Sequence, residues 1–168
     1  MLITDDPIYL FHSCSDNKTF TANSTFQASL TTLLSYLSSK ATSGSKFHNE
    51  GVAYTVYGLF ICRDDLPSRL CGQCVVNATH LIASQCGFRQ EAIIWYSHCL
   101  LRYSYRSLFS KVETSPIFYE LNITPVSCPT PKQSVFNFAP SNTLDKLAIA
   151  AENSAEKYVT RRSKLNAV

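Results

Sequence analysis

The 168-residue chain has no run of roughly 18 apolar residues, the length a membrane-spanning helix needs. Its first residues do not read as a signal peptide, which has a basic start and an apolar stretch of roughly 7–15 residues: Met1-Leu-Ile-Thr-Asp-Asp-Pro supplies neither. Charge is sparse, with 16% charged residues and a net charge of +3, and the Lys and Arg are scattered. That leaves no electrostatic footprint for nucleic acid. There is no phosphate loop and no kinase core, so any kinase domain lies outside this chain. His12, His48, His80 and His98 stand far apart in sequence, without a persuasive acid or nucleophile beside them. Asp64-Asp65 forms a carboxylate pair, but adjacent acidic residues in a turn before a helix start are explained by capping and the helix dipole. No catalytic residue and no cofactor is expected.

Cysteine is abundant: seven residues, more than a cytosolic chain of this size usually carries. The sequon Asn-x-Ser/Thr occurs at Asn17, Asn23, Asn77 and Asn122, a modest excess over chance. Together these features favour an oxidising, glycosylating route of secretion. The first residues do not fit that route by themselves, and the expectation is that the numbering begins after a signal peptide.

Asn23 to Ser39 reads as a helix, with Phe26, Leu30, Leu33, Leu34 and Leu37 on one face and Asn23 or Ser24 as cap. Ala41 to Ser45 reads as a loop, and Gly51 to Cys62 as a strand alternating around Val52, Tyr54 and Val56. Pro67 opens a second helix with Leu70, Cys74, Ala78, Leu81 and Ile82 inside. Ala92 to Tyr105 reads as one long strand and Ser115 to Leu121 as a shorter one. Helices and strands mix without a strict βαβ repeat, which points to an α+β fold with an antiparallel sheet. Two prolines mark a linker after Val126. Asn142 to Val159 reads as a third amphipathic helix, in which Leu144, Leu147 and Ala151 echo Leu34, Leu37 and Ala41. Lys157-Tyr158 echoes Lys46-Phe47, one residue further on. The chain thus ends inside a partial second copy, and Arg161, Arg162 and Lys164 belong to an unfinished loop.

Cys62, Cys71 and Cys74 raise three chemistries. Structural zinc wants two close ligand pairs. Cys71 and Cys74 form one, but the second falls on His98-Cys99, adjacent strand residues that point to opposite faces. A redox C-x-x-C sits at the start of a helix, whereas Cys71 and Cys74 lie within one. Disulfides remain, and no metal is expected. The spacing lets Cys71 return to Cys62 across the Asp64–Pro67 turn and Cys74 reach the strand carrying Cys99, which leaves Cys14 and Cys86. The other pairings open to six cysteines remain permitted by sequence.

Cys62-x8-Cys71-x2-Cys74, with VYGLFICRDDL (56–66), IIWYSHCLLRYS (93–104) and PIYLFHSCS (7–15), resembles the plant cysteine-rich stress-antifungal, or ginkbilobin-homologous, domain. The last three stretches look like the first such domain of cysteine-rich receptor-like kinases. The resemblance covers residues 6–121; 122–135 is then linker and 136–168 the truncated start of a second copy. It implies two helices packed on a five-stranded antiparallel sheet, with the pairs Cys14–Cys86, Cys62–Cys71 and Cys74–Cys99. Cys128 has no counterpart and is expected to be unpaired within this chain.

Ginkbilobin itself resembles a small lectin. Its mannose contacts are an Asn after the first cysteine, an Arg six before the last and a Glu five after the last. Ser15, Ile93 and Ser104 stand there in this chain, so the contacts are not retained. The strip Arg102 to Arg106 is an aromatic-basic candidate, half of which should face the core, and Trp95 is read as core. The resulting expectation is a non-enzymatic, extracellular or apoplastic recognition module of a receptor-like kinase or a secreted relative in stress or defence signalling. Its partner would be an unknown extracellular ligand or a neighbouring receptor ectodomain. The alternative is a stand-alone antifungal mannose-binding lectin.

Overall fold

The computed structural model describes residues 6–16, 18–53, 55–117, 119, 130–155 and 159–161. The chain divides into two compact units, one over residues 1–118 and one over 119–168.

The first unit holds β1 (Tyr9–Cys14), α1 (Thr25–Thr42), β2 (Phe47–Val52), β3 (Val56–Cys62), α2 (Ser68–Gln85), β4 (Glu91–Tyr96) and β5 (Cys99–Ser104). The strands form one sheet in the order β1-β4-β5-β3-β2, with every neighbouring pair antiparallel. The fold is therefore α+β, two helices on a five-stranded antiparallel sheet stapled by three disulfides.

α1 starts where its sequence supplies a cap. The Ser24 hydroxyl accepts from the backbone N–H of Gln27 at 3.3 Å, and the Gln27 side chain accepts from the Asn23 N–H at 2.6 Å. The first of these satisfies a donor that a helix start leaves without a partner, and the second ties the residue before the cap to the first turn. Leu30, Leu33, Leu34, Leu37 and Ala41 form its buried stripe. The stripe faces the sheet face made by Val56, Phe60, Cys62, Ala92, Ile94, Leu101 and Tyr103 and the α2 residues Cys71, Cys74, Val75, Ala78 and Ile82. Two glycines permit that packing. A Cβ at Gly58 would lie 2.8 Å from Leu33 Cδ2, and one at Gly72 would lie 3.2 Å from the Thr42 Cα. Sheet and helices approach α1 so closely only because these side chains are absent.

Several elements differ from the sequence reading. α1 runs through Thr42, because Ala41 is still on the buried stripe and the Ser43 N–H closes the last turn on the Ser39 carbonyl at 3.0 Å. The segment read as one strand over 51–62 is the β2–β3 hairpin, reversed at residues 53–55 with Ala53 at φ 51°; Tyr54 lies outside the described residues. The long strand over 92–105 is the β4–β5 hairpin, with Trp95 opposite Leu100 and Ile94 opposite Leu101. Its turn is held by tertiary bonds: the Ser97 N–H donates to the Ile8 carbonyl at 2.8 Å, and the Ile8 N–H to the Ser97 hydroxyl at 3.0 Å. Ser115, Pro116, Ile117 and Tyr119 are in no strand, and Pro116 has no N–H to give a ladder.

In the second unit α3 covers Thr130–Asn153 with Pro140 inside it. It begins within the stretch read as linker, and Ser154, Ala155 and Val159 are not helical. Leu144 and Ile149 are both 63% exposed. Lys157, Tyr158, Arg162 and Lys164 lie outside the described residues.

Candidate functional site

The bridges come first, because they fix the walls of the site. Cys14 at the end of β1 is bonded to Cys86 at the end of α2, Cys62 at the end of β3 to Cys71, and Cys74 to Cys99 at the start of β5. Their Cα–Cα distances are 5.4, 5.7 and 6.1 Å, normal for a disulfide. Cys71 and Cys74 are thus bonded to different strands and are not a dithiol. His12, Cys14 and Cys86 sit close enough to share a metal ion, but the two sulfurs are consumed by their bond. The His12 Nδ1 is 2.7 Å from the Tyr9 hydroxyl. Cys128 lies outside the described residues.

Side chains alternate across a strand, so the sheet has a second face, away from the helices. Phe11, Leu59, Ile61, Ile93, Trp95, Leu100 and Arg102 belong to it. Trp95 is therefore not in the helix-side core: it is partly exposed, and its ring lies 5.9 Å from that of Phe11. Ile61 is 49% and Phe47 54% exposed. The segment after β5 crosses this face, with Leu108 buried and the Phe109 ring edge-on to Tyr57 at 5.8 Å.

Ser15 and Ile93, two of the positions where the resemblance led us to expect sugar contacts, line one cavity of about 260 Å³ on this face. Glu91, Arg102, Arg106 and Pro116 line it too. Ser104 is fully buried, and its hydroxyl accepts from the Arg106 N–H at 3.3 Å. The β4–β5 register sets Ile93 opposite Arg102 and Ser104 opposite Glu91. The charged residues here are thus the cross-strand neighbours of the positions that lack them.

These charges form an alternating ring. The Arg102 guanidinium meets Glu91 Oε1 at 2.7 Å and also contacts Glu113 Oε2. Arg106 Nη2 lies 3.3 Å from Glu113 Oε1 and 3.6 Å from Glu91 Oε1. Arg102, Glu91 and Glu113 are mostly buried, whereas the Arg106 side chain is 51% exposed. Buried ion pairs need near-complete hydrogen bonding to offset desolvation, yet Arg102 Nε has no hydrogen-bond partner among the described residues.

The remaining candidates fall elsewhere. Within the strip 102–106, Tyr103 points into the core and its hydroxyl donates to the Arg89 carbonyl at 3.0 Å; burial pushes that phenol well above the usual range. Tyr105 carries the Lys18 ammonium 4.5 Å over its ring. His48 lies 3.7 Å from Glu50, and His98 is buried with no hydrogen-bond partner at Nδ1 among the described residues. Asp64 and Asp65 are turn residues, paired with Lys46 and Arg63 respectively; the Arg63 hydrogen bond holds the Asp65 carboxyl below the usual range. Asn23 and Asn77 are exposed, while Asn17 and Asn122 lie outside the described residues. No helix among the described residues is long and apolar enough to cross a membrane.

The salt stress response/antifungal family model matches residues 13–106. Cysteine-rich receptor-like protein kinase 6 of Arabidopsis thaliana is 35% identical over 167 residues, which cover 96% of this chain and 25% of the kinase. Cysteine-rich receptor-like protein kinase 25 of the same plant is 32% identical, over 96% of this chain and 24% of the kinase. The chain spans about a quarter of the length of these relatives. Among solved structures, the tandem DUF26 ectodomain of the Arabidopsis thaliana cysteine-rich receptor-like protein PDLP8 superimposes with a TM-score of 0.74 at 25% identity, covering 83% of this chain and 67% of that one. The tandem DUF26 ectodomain of PDLP5 gives 0.55 at 26% identity, over 60% and 51%. The fold is that of a receptor-like ectodomain, and the chain belongs to the salt stress response/antifungal family.

Proposed function

We propose that this chain is a non-catalytic, extracellular recognition module, part of the ectodomain of a cysteine-rich receptor-like kinase or of a secreted relative, acting in plant stress or defence signalling. The observation that carries the reading is the disulfide-stapled sheet with a polar cavity and partly exposed aromatic and aliphatic side chains on its outer face. Disulfides persist in oxidising compartments, and a concave site with convergent polar groups is the usual form of a ligand site. The ligand is an extracellular molecule or a neighbouring receptor ectodomain. Residues 6–121 form the module, and the stretch from 122 onward leads through α3 into the start of a second copy. The tandem architecture of the PDLP8 ectodomain supports that division, as does the echo of Leu34, Leu37 and Ala41 in Leu144, Leu147 and Ala151. The sequons at Asn17, Asn23, Asn77 and Asn122 carry glycans on this reading.

Complementation tests it. Plants lacking the full-length gene product should regain their stress response with the intact gene and not with one deleted for residues 6–121. Full rescue by the deleted gene overturns the recognition role.

A further inference from the structure

The charge ring has one weak edge. Arg102 is held by two carboxylates, and Arg106 meets Glu113 at 3.3 Å, but Arg106 and Glu91 stand 3.6 Å apart, beyond a hydrogen bond. Both groups at that edge line the cavity, and Arg106 is half exposed. A guanidinium has five donors in a fixed fork, so Arg106 keeps capacity for a carboxylate.

We propose that this cavity binds a small zwitterion, such as a free α-amino acid, with its carboxylate on Arg106 and its ammonium on Glu91. Charge balance selects this class. The ring contains two guanidiniums and two carboxylates, so a simple anion gains Arg106 but faces Glu91 and Glu113, and a simple cation meets the reverse. A molecule carrying both charges satisfies both groups and adds no net charge to a partly buried site. Volume sets the size. A cavity of about 260 Å³ has room for a molecule the size of one amino acid. Ile93 and Pro116 offer the carbon skeleton an apolar wall. The supports are rigid: Glu91 and Arg102 stand on paired strands, and the Ser15 N–H is bonded to the Glu91 carbonyl at 3.0 Å. None of the four charged groups stands at a position of the family's sugar contacts.

The proposal names a ligand class for the recognition module and rests on that reading. Its failure would remove this ligand class alone, because the sheet, the bridges, the cavity itself and the family match are independent of what the cavity binds.

Titration of the full chain with L-leucine, L-serine, acetate, ethylammonium and mannose decides it. One of the amino acids should bind saturably, with acetate and ethylammonium about tenfold weaker or more, the effect of losing one charged hydrogen bond. Arg106→Gln should weaken binding by about tenfold or more. Ser13→Trp, which fills the cavity and leaves all four charges, should abolish it, with the circular-dichroism spectrum confirming that this variant is folded. Absence of saturable amino-acid binding overturns the proposal. So does acetate or mannose binding as tightly as the amino acid, or binding that survives Ser13→Trp.

Discussion

Opening the three bridges one at a time should destabilise the module in a fixed order. A disulfide restricts the unfolded chain, and the entropy it removes grows with the logarithm of the loop it closes. The loops here differ widely: 72 residues for Cys14–Cys86, 25 for Cys74–Cys99 and 9 for Cys62–Cys71. The chain-entropy relation then gives about 4.4, about 3.5 and about 2.6 kcal/mol at room temperature. Each pair is replaced by two alanines, so the lost side-chain volume is the same and the differences report the loops. Urea unfolding followed by circular dichroism reads the three values. For a module of this size, loss of the largest should lower the melting temperature by roughly 15 °C or more. Cys14–Cys86 also ties edge strand β1, which carries Ser13 and leads into Ser15 at the cavity wall, to the end of α2. Its loss should therefore loosen the site as well as the fold. If the Cys62/Cys71 variant loses as much stability as the Cys14/Cys86 variant, the loop argument is refuted.

Calorimetric titration with mannose should give no saturable signal, because Ser15, Ile93 and Ser104 lack the polar groups of the family contact set and Ser104 is fully buried; binding abolished by changing Ser15 would contradict this. Tyr103→Phe should cost about 1 kcal/mol, the net value of its hydrogen bond to the Arg89 carbonyl. Burial raises the Tyr103 phenol, so its stabilising effect is complete below the unfolded value of 10.0 and is lost as pH rises towards the folded value; an alkaline titration in which wild type and Tyr103→Phe lose stability in parallel would refute this. Amides of α3 around 142–153 should exchange with solvent faster than those of 26–37 in α1, since Leu144 and Ile149 are exposed while Leu33 and Leu37 are fully buried; equal protection would show that α3 rests on a core of its own.

The helices were legible because their stripes repeat at helical spacing: Leu30, Leu33, Leu34 and Leu37 are all buried. The turns of the two hairpins were not. Ser97 and His98 carry no glycine, proline or asparagine signal, and what reverses the chain there is bonding to Ile8 and Arg63, distant in sequence. Missing that reversal also hid the charge ring. With the turn at 97–98, Glu91 falls opposite Ser104 and Arg102 opposite Ile93, a pairing that a single long strand does not make. Glu113 carried no signal at all, because an irregular segment brings it to Arg102. The outer position of Trp95 is hidden for the same reason as the turn: a strand of β-branched and aromatic residues does not declare which face is inner until its partners are known.

On the proposed function, this disulfide-stapled domain works outside the cell. Labelling of intact plant cells expressing the full-length gene product with a membrane-impermeant reagent, followed by thiol alkylation without reduction, tests it directly. Residues 6–117 should be labelled without permeabilisation, or the protein recovered from the medium, with Cys14, Cys62, Cys71, Cys74, Cys86 and Cys99 all refractory to alkylation. Labelling only after permeabilisation, with those cysteines alkylated as free thiols, would contradict it.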